Sequence, residues 1–111
     1  MSDPAGAGHI ATVYAVFASP DEAERIGRIA IEERLAACVN ILAPCRSIYR
    51  WDGAIETAVE TPALFKTRAD RAAALAERIA ALHGYDVPAV AMWPIERTLP
   101  GYAAWINDTV S

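Results

Sequence analysis

Apolar stretches of two different periods alternate along the chain. Residues 10–18 (IATVYAVFA) form an unbroken β-branched and aromatic run of strand length. Ser19-Pro20-Asp21-Glu22 ends it. Ser19 is placed to cap a helix, Pro20 suits its first position, and Glu22 is spaced to return a capping-box bond. Behind them Ala23, Ile26, Gly27, Ala30 and Ile31 fall on one helical face. Arg25, Arg28 and Glu32 fall on the opposite face, with Arg28 and Glu32 spaced i,i+4 for an ion pair. The pattern predicts an amphipathic helix ending near Arg34 or Leu35.

From Ala36 the pattern turns back to strand (ACVNILAPCRSIYRW), with Pro44 marking a bend, bulge or edge. Asp52-Gly53 is a two-residue hairpin signal, because both residues tolerate positive φ. The return strand covers 54–67, with Pro62 as a second edge or bulge marker. Residues 70–83 then read as a second helix, in which Ala72, Leu75, Ile79 and Leu82 share a face and Gly84 serves as the residue after its end. Residues 87–96 read as a last strand, and Pro100 opens a short helix in which Tyr102, Trp105 and Ile106 share a face. The order β-α-β-β-α-β plus a terminal helix predicts an α+β fold of the ferredoxin-like, split β-α-β kind. Its antiparallel sheet carries two helices on one face.

Composition adds an assembly to this picture. The chain has 111 residues, 54% of them apolar, and a mean hydropathy of +0.17. That length suits one domain, expected over 10–111 behind a flexible polar tail at 1–9. The apolar content is high for so small a body, whose surface is large for its volume. A long hairpin also exceeds what such a body covers alone. Both features point to surface buried in an oligomer.

Charge and patterning exclude several classes. Lys+Arg number 10 against Asp+Glu 14, a formal net charge of −4, which argues against nucleic-acid binding. No apolar run reaches the ~18 residues of a membrane span. The first nine residues lack a signal peptide's basic and apolar regions, so a cytoplasmic setting is expected. Cys38 and Cys45 lie about 23 Å apart if on one strand at ~3.3 Å per residue, beyond disulfide reach. Two reduced thiols fit that compartment.

Candidate chemistry is sparse. The serines are Ser2, Ser19, Ser47 and Ser111, and the histidines are His9 and His83. No nucleophile elbow surrounds any serine, and no glycine-rich loop offers a phosphate cradle, so an enzyme is not expected. His83, at a helix end, is a candidate metal contact, with Asp86, Glu56, Glu60 or Glu96 as further ligands. Lys66 is the single lysine among nine arginines. Alternation places it on the strand face of Glu60. Tyr49 and Trp51 share a face near the hairpin tip and suit either a subunit contact or a small-molecule pocket.

Residues 34–40 (RLAACVN), 47–56 (SIYRWDGAIE), Glu60, Lys66-Thr67 and 83–88 (HGYDVP) together resemble the divalent-cation tolerance family CutA. The resemblance runs over about residues 10–107. It implies a ferredoxin-like homotrimer similar in architecture to PII signalling proteins, a link to divalent-metal tolerance and copper binding, and no catalytic reaction. Matched by position, it points to Tyr49, Trp51, Glu60, Lys66, Tyr85 and Trp105 at an inter-subunit cleft, with His83 as metal contact. Gly84 stands where the family usually has Pro, and Ala54 where Lys is common. Phe17 and Leu82 occupy positions that some members give to Cys and a second His. The expected site is therefore a weak, pH-dependent one for divalent cations, Cu2+ first, formed by hard or borderline ligands. The alternative is a PII-like sensor or scaffold holding a small ligand or a partner's loop between subunits.

Overall fold

The computed structural model describes residues 9–111, so the expected tail, His9 apart, lies outside the described residues. Strand β1 (Ile10–Phe17) leads into helix α1 (Pro20–Glu32). Strands β2 (Cys38–Ile41), β3 (Cys45–Trp51) and β4 (Ala54–Arg68) follow. One 3-10 turn (Ala69–Arg71) opens helix α2 (Ala72–Leu82), and strand β5 (Val90–Ile95) and helix α3 (Pro100–Thr109) complete the chain.

The sheet order is β2-β4-β1-β5, with β3 pairing the first half of β4, and every pairing is antiparallel. β4 thus separates β1 from β2, the two strands that α1 connects. This is the split β-α-β arrangement expected from the pattern, and the fold is ferredoxin-like α+β.

Strand alternation sorts the two faces. Val13, Ala15 and Phe17 of β1 and Ala63 and Phe65 of β4 are buried against Ile26 and Ala30 of α1 and Leu75 and Ile79 of α2. The intervening residues of both strands point to the second face. There α3 covers one end, with Ile106 and Val110 packed on Ile10 and Ala37. The rest of that face carries no helix among the described residues. Helix α1 approaches β2 closely, because a Cβ on Gly27 would stand 3.1 Å from Val39 Cγ1.

Several local expectations are refined. The stretch 36–51 is two strands, interrupted at 42–44 where Pro44 sits. Pro62 is neither at an edge nor at a bulge: β4 runs unbroken through it, opposite Val16. Its carbonyl accepts from Leu42 N–H at 2.9 Å, so its missing donor faces the side where β2 gives way to β3. Helix α1 stops at Glu32, and Arg34 takes the left-handed conformation (φ 58°). Arg28 pairs with Glu24 at 3.1 Å rather than with Glu32. An acid one turn before its base is the favoured order, since it also suits the helix dipole. Asp52 (φ 51°) and Gly53 (φ 80°) form the tight turn that the Asp-Gly pair predicts.

The β3–β4 hairpin beyond Glu60 pairs with nothing else among the described residues and projects as an arm. It stretches the molecule to 50 × 27 × 23 Å. Large apolar side chains stand exposed on both faces of the arm. Ile48, Ile55 and Val59 are 69%, 68% and 67% exposed on one face, and Trp51 is 58% exposed on the other.

Candidate functional site

The site grows from the second face of the sheet. Residues at even positions in β4 project there, and register brings odd positions of β3 beside them: Tyr49 pairs Glu56, and Cys45 pairs Glu60. Tyr14 and Val16 of β1 point the same way. The 84–89 loop closes the other side. Together they bound a cleft of about 740 Å³. Tyr14, Tyr49, Trp51 and Tyr85 supply aromatic walls, and Glu56, Glu60 and Asp86 supply carboxylates.

The loop is held by three separate devices. His83, 9% exposed, stacks on Phe17 with ring centroids 5.1 Å apart. Its Nε2–H donates to Val16 O at 2.6 Å, and its Nδ1 accepts from Tyr85 N–H at 3.0 Å. A carbonyl only accepts and an amide N–H only donates, so these partners select the neutral Nε2–H tautomer. Glu22 is the second device. Its Oε1 accepts from Ala18 N–H at 3.0 Å and its Oε2 from Gly84 N–H at 2.8 Å. Ser19 caps α1 as expected, accepting from Glu22 N–H at 3.1 Å, but the Glu22 carboxylate leaves the capping box to tie the loop. Gly84 follows the helix end as expected, without the left-handed conformation of a glycine terminator. It is small because a Cβ there would lie 3.0 Å from Glu22 Oε2.

The third device is Tyr85 itself. Its hydroxyl donates to Glu60 Oε2 at 3.0 Å. Burial, then the bond to Glu60 and the negative charge of Glu60 and Glu22, push the phenol up to about 12. Tyr85 is therefore a neutral donor that orients Glu60 at any physiological pH.

Of the residues singled out in the sequence, Tyr49, Trp51, Glu60 and Tyr85 line this cleft, and His83 stands directly behind Tyr85, ring centroids 4.9 Å apart. Two others lie elsewhere in the chain. Lys66 shares the face of Glu60, as alternation requires, but six residues along β4 place it about 20 Å away. It donates to Asn40 Oδ1 beside β2. Trp105 stacks on Tyr102 in α3, centroids 6.2 Å apart. Tyr102 OH in turn meets Cys38 Sγ at 3.5 Å, and burial followed by that contact pushes its phenol up to about 12. Cys38 and Cys45 are both free and sit on different strands. Tyr14 and the bridging role of Glu22 carry no sequence signal of their own, since only the β1–β4 register and the helix–loop contact reveal them.

As a metal centre the arrangement is open. Both His83 nitrogens are engaged by backbone, so ligation through it requires breaking one of those bonds. Among the described residues no three His, Cys, Asp or Glu side chains gather as a ligand set. What remains is a rim of carboxylates, suited to weak, exchangeable contact with a cation rather than to a rigid coordination sphere.

Comparison with known proteins identifies the family and agrees with the fold. Residues 11–109 match the family model described as CutA1 divalent ion tolerance protein. The chain is 41% identical over 98 residues to the divalent-cation tolerance protein CutA of Archaeoglobus fulgidus, spanning 88% of this chain and 95% of that one. It is 36% identical over 109 residues to a CutA homolog of Xenopus laevis, spanning 98% of this chain and 72% of that protein. The structure superposes on that of the periplasmic divalent cation tolerance protein CutA from Archaeoglobus fulgidus with a TM-score of 0.89, covering 92% of this chain and 99% of that chain at 39% identity. On these grounds the chain belongs to the CutA1 divalent ion tolerance family.

Proposed function

We propose that the protein is a non-enzymatic homotrimer that responds to divalent metal ions, binding them weakly, Cu2+ foremost, at the carboxylate rim of the cleft between arm and loop. The observation that carries this reading is the cleft itself. Glu56, Glu60 and Asp86 enter it, and none of them forms an ion pair among the described residues. Uncompensated carboxylates in a concavity concentrate cations. Glu60, held by Tyr85, is the fixed member. His83 contributes by holding Tyr85 and the loop, and it becomes a ligand only if Nδ1 releases the Tyr85 amide.

Assembly as a homotrimer is supported by the arm, whose exposed Ile48, Ile55, Val59 and Trp51 find no cover among the described residues. Burying three such arms against neighbouring sheets removes large apolar areas from water. On this reading the clefts lie at subunit boundaries, with Lys66 and Trp105 of neighbouring chains as candidate wall residues. A cytoplasmic setting is supported by the two free thiols. Among the described residues no helix is long and apolar enough to cross a membrane.

A second reading keeps the trimer and makes the cleft a PII-like sensor pocket for a small organic ligand. The aromatic walls favour it, because a bare metal site has no use for them. Calorimetric titration with Cu2+ of wild type, Glu60→Gln and His83→Ala separates the two. Saturable binding lost in Glu60→Gln supports the metal reading. Identical heats in all three proteins contradict it.

A further inference from the structure

We infer that a one-residue β-bulge at Ala43-Pro44 is the joint that sets the angle between arm and body, and that this angle closes the assembly at three copies. This rests on the reading of the assembly as a homotrimer and goes beyond it to what limits the number of copies.

The bulge follows from two registers that disagree by one residue. In the body, β2 pairs Ile41 with Ala63, and Leu42 N–H still donates to Pro62 O at 2.9 Å. In the arm, the two-residue Asp52-Gly53 turn fixes Trp51 opposite Ala54, and that register carries back to Cys45 opposite Glu60. Ala43 and Pro44 are left facing Thr61 alone, two residues against one. The alternation reverses there. Val39 and Ile41 share the helix-covered face with Phe65 and Ala63, whereas the odd-numbered Tyr49 and Trp51 fall on the opposite face, with Glu56.

A bulge bends its strand and raises the local twist. This one sits where a bend is transmitted whole. β1 ends at Phe17, opposite the same Thr61, so beyond that point β4 is flanked by β3 alone among the described residues. The joint is also fixed rather than loose. Thr61 is 1% exposed. Pro62 stays in register with Val16, across from the bulge. Pro44 and Pro62 both lack the N–H with which a ladder would extend into the gap, which holds the extra residue in place.

Leverage turns this angle into an assembly. Residues 45–51 span about 23 Å at ~3.3 Å per residue. A change of ~20°, the size of the twist between neighbouring strands, carries the tip sideways by about 8 Å. That is enough to lift Trp51, exposed at the tip, off a neighbour's surface. A head-to-tail contact closes into a ring only when its rotation fits a whole number of copies, and otherwise it grows as an open chain. Where the arm of one copy reaches the next, the arm-to-body angle sets that rotation.

The test is light scattering and circular dichroism on the full chain with Ala43 deleted. One residue then faces one across the joint, both ladders keep their partners, and the arm straightens. Pro44→Ala, which keeps the extra residue, is the control. Wild type and Pro44→Ala are expected to give three times the 11.9 kDa chain mass. The deletion variant is expected to keep the helical signal and to lose the trimer peak, giving single chains and open, concentration-dependent oligomers instead. Insertion of one glycine between Ala43 and Pro44 enlarges the bulge and is expected to do the same. A folded deletion or insertion variant that remains a trimer overturns the joint. So does loss of the helical signal in both variants, which makes the joint part of the core. A wild type that is not a trimer overturns the assembly reading itself, and the joint with it.

Discussion

Glu22 shows how one side chain serves two levels of structure. By sequence it belongs to a capping box, and in the fold its two oxygens tie Ala18 and Gly84, joining the start of α1 to the loop that closes the cleft. Hydrogen bonds to a charged acceptor contribute about 1.5–3 kcal/mol net, and this one is partly solvated, so Glu22→Ala is expected to cost ~1–2 kcal/mol in urea unfolding. Gly84→Ala is expected to destabilise the wild type by pressing its Cβ on Oε2, and to do so less in the Glu22→Ala background. A double-mutant cycle with strictly additive effects contradicts the contact. Tyr85 gives a second test at this scale. Its folded-state phenol lies near 12 against about 10 unfolded, so the neutral form is the one the fold favours. That stability is complete below pH ~10 and is lost as pH rises toward 12. Urea midpoints measured from pH 9 to 12 are expected to fall less steeply in Tyr85→Phe. Tyr102 has the same direction of shift and remains as background in both proteins.

At the scale of elements, much was legible because local chemistry and the global fold agree. Ser19-Pro20 opens α1, Asp52-Gly53 turns the hairpin, and the spacing of Leu75 and Ile79 sets the buried face of α2. The aromatic and acidic residues of the cleft were legible one by one, as Tyr49, Trp51, Glu60 and Tyr85. Their common site was not, because register and a loop contact bring them together rather than sequence spacing. His83 is the clearest case. A histidine at a helix end reads as an available ligand, yet the fold uses both ring nitrogens to hold Val16 and Tyr85. Lys66 is a different case: parity predicts its face correctly and says nothing of distance along a fifteen-residue strand, which within one chain sets it far from Glu60. The hairpin offers the test for this scale. Gly53 has φ 80°, where a β-branched side chain is strained by about 1–2 kcal/mol. Gly53→Val is expected to loosen the arm tip and weaken assembly while leaving the helical circular dichroism of α1 and α2 unchanged. Loss of the helical signal at the same denaturant concentration as the arm's opening contradicts an arm outside the core.

For the whole molecule, the account joins an elongated subunit, an uncovered sheet face and a negatively charged cleft. The radius of gyration, 14.9 Å, exceeds the ~13 Å of a compact chain of this length, and the arm accounts for the excess. Light scattering is expected to give three times the 11.9 kDa chain mass, and Trp51→Ala to shift the population toward smaller species at micromolar concentration. An unchanged trimer in that variant places the assembly contact elsewhere on the arm. The central claim, that the cleft is where the protein meets cations, is tested most directly by amide NMR of the assembled protein during addition of substoichiometric Cu2+. Its paramagnetism broadens signals near wherever it binds. The account predicts broadening first at residues 47–60 and 84–89, abolished in Glu60→Gln. Broadening centred instead on His9, or on Cys38 and Tyr102, with the cleft signals unaffected, contradicts it.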